Sequence, residues 1–218
     1  MSCPLQEILV TDQSIPATQH EELFNVFPKS HFENLLKDRF SFYRTTFWYS
    51  RDQTPTNVFE RIIDQLSVHA NPSDSVIGIE WWFSVVGTNG TPFWLLPPHF
   101  DRSDLEEKDP EKFTYPEKAS VLFLNSVPYG ELVVTDQVMT RKGMRPRQPK
   151  EMRFIEPVSM RYAVFPGHLY HGVMGRMWRS KQPTDFRLSM AVNYWTEKPA
   201  ADYLNDSKAA LEEFEIPD

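Results

Sequence analysis

Six histidines, at positions 20, 31, 69, 99, 168 and 171, are the residues most able to do chemistry in this chain. His20 and His31 sit in polar surroundings with helical spacing, and His69 ends a helical run, so these three read as surface residues. His99 differs. It follows Pro97-Pro98 and leads into Phe100-Asp101 at the end of a β-type run. Residues i and i+2 of a strand share a face, so the imidazole and the carboxylate converge on one point. A second imidazole comes from FPGHLYHGV (165–173), where Pro166 also stiffens the end of a run. Two imidazoles and one carboxylate from separate strands occupy one triangular face of an octahedral ion and leave three positions open. A structural zinc site would instead close its shell with four ligands. His168 and His171 compete for the third place, because in extended chain they point to opposite faces.

A third cluster lies in FRLSMAVNYW (186–195). Arg187, Ser189, Ala191, Asn193 and Trp195 fall on one face; Phe186, Leu188, Met190, Val192 and Tyr194 fall on the other. An arginine and a hydroxyl two residues apart form a fork suited to a carboxylate. A solvent-facing edge strand is the bland alternative, which Ala191 and Trp195 on the same stripe weaken.

These residues must be held by a scaffold that is helical at the ends and β-type between them. Residues 20–39 carry Leu23, Phe24, Phe27, Phe32, Leu35 and Leu36 at mostly helical spacing, interrupted by Pro28. Residues 57–67 place Val58, Ile62, Ile63 and Leu66 on one face, with Thr56 or Asn57 as the N-cap and Pro72 beyond the end. Short β-type runs follow at 76–87, 92–96, 119–126, 131–135, 152–156, 160–165 and 186–195. Residues 200–214 read as an amphipathic helix. Many short strands with no βαβ alternation predict a mainly β sandwich or jelly-roll barrel with flanking helices. No repeat or linker divides the chain. The reading is one domain over 1–218: a barrel core at about 76–196, N-terminal helical support at 20–70 and a C-terminal helix at 200–214.

Composition narrows the chemistry further. The single cysteine, Cys3, excludes an internal disulfide and any Cys-rich zinc or iron–sulfur site. Eight glycines against eighteen prolines argue for stiff loops and against a glycine-rich phosphate cradle. The net charge of −7 is uneven: residues 141–187 hold eleven basic against three acidic side chains, a net of +8, and residues 197–218 seven acidic against two basic, a net of −5. The overall sign and the lack of any zinc-finger, RNP or helix-turn-helix motif speak against nucleic acid. A solvated loop is the simpler reading of RKGMRPRQPKEMR (141–153); a mouth that draws in a small anionic substrate is the functional one. No apolar run nears the ~20 residues that cross a bilayer, and no basic-then-apolar leader opens the chain. A cytoplasmic setting is expected.

Taken in order, His99-Phe-Asp101, then F-P-x-x-L-x-H-x-V at 165–173, then Arg187-x-Ser189, resemble the Fe(II)/2-oxoglutarate-dependent dioxygenase superfamily. ASVLFLNS and GELVVTDQ are similar to the strands between the ligands in its double-stranded β-helix (jelly roll, cupin-like), so the resemblance spans about 76–196. It implies Fe(II) on His99, Asp101 and His171, with Leu169 and Val173 on the motif's apolar positions. It also implies 2-oxoglutarate as cosubstrate, its distal carboxylate on Arg187 beside Ser189. Asn125, which closes a β run with the polarity expected inside a cavity, is a further candidate cosubstrate contact. Oxidation of a C–H bond in a small-molecule substrate by O2, giving succinate and CO2, follows from the resemblance. Asp101 stands where the halogenases of the superfamily have a small residue, which argues against halogenation. Arg102 and Asp104 are candidate substrate contacts. The 16-residue gap from His171 to Arg187, with a basic insertion at 175–185, departs from the common pattern. Two other readings stay open: an iron oxygenase with the same triad but no 2-oxoglutarate, and a non-catalytic jelly-roll binding module.

Overall fold

The alternation in residues 186–195 persists as a ten-residue strand whose two faces meet different surroundings. Leu188, Met190, Val192 and Tyr194 enter a large core with Phe59, Ile62, Ile63 and Leu66, which come from a helix. Arg187, Ser189 and Ala191 line a cavity instead. The computed structural model describes residues 4–26, 46–87, 94–103, 109, 112–175, 186–200 and 204–210.

The strands in chain order are β1 (Leu9–Thr11), β2 (Thr46–Ser50), β3 (Gly78–Gly87), β4 (Trp94–His99), β5 (Lys118–Phe123), β6 (Leu132–Thr135) and β7 (Val138–Thr140). They continue with β8 (Gly143–Arg145), β9 (Met152–Ile155), β10 (Tyr162–Pro166), β11 (His171–Met174), β12 (Phe186–Trp195) and β13 (Leu204–Asp206). The helices are α1 (Ala17–Asn25) and α2 (Val58–Ala70). A seven-stranded sheet runs β1-β10-β5-β12-β3-β2-β13 and a four-stranded sheet runs β4-β11-β6-β9; β7 and β8 form a separate hairpin. These two sheets are the double-stranded β-helix core. A second apolar cluster, with Ala119, Phe123 and Phe165 from the larger sheet and Leu132, Val134 and Ile155 from the smaller, fills the space between them.

Helix α2 forms where the capping chemistry directs it. Asn57 Oδ1 accepts from Glu60 N at 2.9 Å, and Glu60 reaches back to Thr56 N at 2.6 Å, a reciprocal N-terminal box. Asn71 ends the helix in the left-handed region, φ 46°. The apolar face of α2 covers the larger sheet, where Trp81 stacks on Phe47 with ring centroids 4.5 Å apart.

Several expectations are corrected. The first helix begins at Ala17 and ends at Asn25, and residues 27–39 of the expected run lie outside the described residues. The larger sheet recruits β1, β2 and β13 from beyond the expected 76–196 core. Leu204–Asp206, read as helix, is a strand paired in parallel with β2; the rest of that stretch lies largely outside the described residues. The run at 92–96 extends instead to His99, through both prolines. β4 is the edge of its sheet, so the missing proline N–H groups cost little there. Among the described residues no helix is long and apolar enough to cross a membrane.

Candidate functional site

His99 ends β4, and His171 opens β11 as its directly opposed partner. The two imidazole centroids lie 4.6 Å apart. Asp101, two residues past His99, brings one carboxylate oxygen to each ring: Oδ1 is 3.4 Å from His99 Nε2 and Oδ2 is 3.6 Å from His171 Nε2. One ligand-type atom from each residue falls within 4.8 Å of the others, and among the described residues this is the group that could hold a metal ion. His168 is exposed on the turn before β11 and takes no part in the cluster.

Short-range backbone geometry orients both rings. His99 Nδ1 donates to Pro97 O at 2.9 Å and His171 Nδ1 donates to Leu169 O at 3.0 Å. With the proton fixed on Nδ1, each Nε2 presents its lone pair inward, as a metal ligand requires. Asn193 on β12 donates from Nδ2 to Asp101 Oδ2 at 3.0 Å and fixes the carboxylate. Burial opposes the charge on Asp101, but His171 and His99 hold its pKa well below the usual carboxylate range. Burial also lowers the pKa of His171. At His99 burial works in the same direction, yet the hydrogen bond and charge of Asp101 together hold the pKa above the ordinary imidazole value.

A sign follows for metal binding. A ligating imidazole must be neutral, so protons compete chiefly at His99. Metal affinity should be flat above the pKa of His99 and fall by about tenfold per pH unit below it, one proton being displaced per ion. Titration of Co(II) across the imidazole range checks this; an affinity independent of pH would remove His99 from the ligand set.

The cavity beside the triad runs inward between the sheets. His99, Asp101 and His171 line one part; Ser84, Ser120, Arg187 and Ser189 supply its other polar groups. Arg187 is 1% exposed, and among the described residues no carboxylate pairs with it. Its NH1 donates to Ser189 Oγ at 3.0 Å, its guanidinium lies 4.8 Å over the Phe123 ring, and its Nε has no partner. Burial pulls its pKa down to about 9, which still leaves it charged at neutral pH. The Ser84 hydroxyl, opposite Ser189 across the β3–β12 pair, is buried without a partner as well. These orphaned donors, set in an otherwise mostly apolar cavity, fit an anionic ligand.

A second, outer pocket shares Trp82, His99 and Asp101 with the first and adds Thr46, Glu80, Arg102 and Asn193. The Arg102 guanidinium lies 4.2 Å over the Phe113 ring. Asp104 and the insertion at 176–185 lie outside the described residues. Asn125 is engaged elsewhere. Its amide donates to Phe186 O at 2.7 Å and accepts from Leu188 N at 2.8 Å, tying the end of β5 to β12. His20 and His69, expected at the surface, are half-buried and meet Leu124 O at 2.6 Å and Ser14 O at 3.1 Å.

Two glycines matter to the site without carrying chemistry. Gly130 has φ 91° and its backbone presses on the Arg187 stem; a Cβ there would lie 3.0 Å from Arg187 Cδ. A Cβ on Gly172 would sit 2.9 Å from Leu96 O and from Pro98 N and Cα, all backbone of β4. Gly172→Ala should therefore push β11 away from the strand that carries His99. The expected cost is about 1–3 kcal/mol of stability and at least ~10-fold in metal affinity; thermal unfolding and a Co(II) titration measure both.

No family model matches the sequence, and no curated protein matches it. Among solved structures, the chain is similar to HygX from Streptomyces hygroscopicus with iron bound, at 15% identity and TM-score 0.50, over 86% of this chain and 81% of that one. The two share a fold. HygX is also known with nickel and 2-oxoglutarate bound. A Pseudomonas putida prolyl-4-hydroxylase gives TM-score 0.48 at 18% identity over 88% and 90% of the two chains. The viral collagen prolyl hydroxylase vCPH from Paramecium Bursaria Chlorella virus-1 gives 0.48 at 11% over 91% and 100%.

Proposed function

We propose that the protein is a non-haem Fe(II)- and 2-oxoglutarate-dependent oxygenase acting on a C–H bond of a small-molecule substrate. The observation that carries this reading is Arg187, a buried guanidinium with no carboxylate partner among the described residues, in the cavity that the triad also lines. A ligand acidic at both ends meets both needs: its distal carboxylate pairs with Arg187 beside Ser189, and its other end meets the metal centre. The nitrogen and oxygen donors of His99, Asp101 and His171 suit Fe(II), and the three-ligand face leaves positions for cosubstrate and O2. Iron held there would couple O2 and 2-oxoglutarate to the oxidation of R–H, the products being R–OH, succinate and CO2.

The chain's own part is positional. The Pro97 and Leu169 carbonyls fix the imidazole tautomers, Asn193 fixes the carboxylate, and Arg187 and Ser189 set the cosubstrate. Substrate enters from the outer pocket, against Thr46, Trp82 and Arg102, where the guanidinium favours an anionic small molecule. Neither nucleic acid nor a membrane is part of this reading. Anaerobic titration with Fe(II) and 2-oxoglutarate tests it. The chelate should give a weak visible charge-transfer band, and a spectrum without that band rejects the cosubstrate. A metabolite screen for succinate formation by the iron-loaded protein then finds the substrate.

A further inference from the structure

Glu80 is a buried carboxyl that the reading above leaves without a task. It stands on β3 directly opposite Asn193 of β12 and is 7% exposed. Its Oε2 accepts from Trp195 Nε1 at 2.9 Å, and the Asn193 carboxamide lies beside it. Asn193 in turn donates to Asp101 Oδ2, while its own Oδ1 is buried with no hydrogen-bond partner. Burial, reinforced by the charge of Asp101, pushes the Glu80 pKa up to about 7, against the hydrogen bonds from Trp195 and Asn193, which lower it. The Glu80 carboxyl accepts from the Trp195 indole and from the Asn193 amide, whose Nδ2 also donates to Asp101 Oδ2.

We propose that Glu80 is a positioning residue for Asp101: it holds the Asn193 carboxamide, and Asn193 holds the carboxylate that faces the two histidines. Trp195 and Asn193 of β12, Glu80 of β3 and Asp101, two residues past the end of β4, form one chain of contacts. Chains of this kind keep a ligating carboxylate in one orientation, and their loss typically lowers metal affinity 10–100-fold. The proposal rests on the reading of His99, Asp101 and His171 as a metal centre.

The test uses the full chain and Co(II), whose visible bands report coordination geometry. Gln at position 80 keeps an acceptor and a donor; Leu keeps neither. E80Q should bind Co(II) within about 3-fold of wild type with unchanged bands, and E80L should bind roughly 10–100-fold more weakly with altered bands. Thermal unfolding of the metal-free proteins separates this from a failure to fold. If E80L does not fold, W195F carries the test from the other end: it removes the donor that fixes Glu80 and must also weaken Co(II) and shift the bands. Wild-type protein that binds no Co(II) removes the metal-centre reading itself. Wild-type binding with E80L or W195F unchanged, or E80Q as impaired as E80L, overturns the role of Glu80 alone.

Discussion

Arg187→Met should weaken 2-oxoglutarate binding by at least ~30-fold while leaving the metal centre intact. Truncating one partner of a buried, hydrogen-bonded charge pair costs about 2–5 kcal/mol, and 2 kcal/mol is already roughly 30-fold in affinity. The methionine removes the guanidinium that faces the cavity, the donor to Ser189 and the stack on Phe123. It is none of the three candidate ligands, so Co(II) affinity without cosubstrate should stay within about 3-fold. The same substitution should raise the stability of the ligand-free protein. There Arg187 is a buried cation whose Nε has no partner, and burial alone lowers its pKa. An apolar side chain of similar length relieves that desolvation by about 1–3 kcal/mol, worth several degrees in Tm for a chain of this size. Opposite signs in ligand affinity and Tm distinguish a carboxylate receptor from a packing residue. Unchanged 2-oxoglutarate affinity would leave the triad without its cosubstrate and favour the 2-oxoglutarate-independent oxygenase.

Asp101→Ala is expected to have the other large effect. Both oxygens of this carboxylate face imidazole nitrogens, and the Asn193 amide donates to the same group. Losing a ligand outright should exceed the 10–100-fold loss typical of outer-shell residues, so Co(II) affinity should drop by more than ~100-fold and turnover should vanish with it. The variant also removes what holds the His99 pKa up, leaving burial to lower it. Residual metal binding should then lose much of its pH dependence. In the metal-free wild type the depressed Asp101 pKa contributes stability that is complete above the ordinary carboxylate range and is lost progressively as pH falls from that range down to the depressed pKa. D101A should lack that acid-side loss. An Asp101→Ala protein that binds Co(II) as tightly as wild type would mean that the triad is incidental, as in the binding-module reading.

Much of this site was legible because its signal is local. Period-2 alternation alone assigned Leu188, Met190, Val192 and Tyr194 to one face of β12 and Arg187, Ser189, Ala191 and Asn193 to the other. The two-residue spacing of His99 and Asp101 also pointed to their meeting, although β4 ends at His99 and the carboxylate meets the ring just beyond it. What was not legible depends on register between distant strands. Glu80 meets Asn193, and Ser84 meets Ser189, only because β3 pairs with β12 at one alignment, and no local pattern in either run specifies it. Gly130 and Gly172 matter through the backbone of other segments, so their importance has no mark of its own in the sequence. β1 and β13, three residues each, lack the length for alternation to show and are strands because the sheet offers them an edge; β2 lies between β3 and β13, and its Phe47-Trp48-Tyr49 is aromatic throughout, so no polar alternation marks it. Asn125 shows the limit of polarity as a signal. A short amide at a strand end satisfies backbone groups at least as readily as a ligand, and here it joins Phe186 O and Leu188 N.

The division of β12 into two faces has a consequence for how the activity can change over time. Residues that fasten the helices to the larger sheet and residues that serve the cavity alternate along one strand, so they are inherited together but constrained separately. The outer pocket adds Thr46 and Arg102 from two other segments; neither residue belongs to the helix-side core, to the inner cavity or to the triad. Thr46 and Arg102 are distinct from the residues proposed to hold metal and cosubstrate. On the proposed reading, selection can retune which molecule is oxidised without changing the residues that would hold metal and cosubstrate.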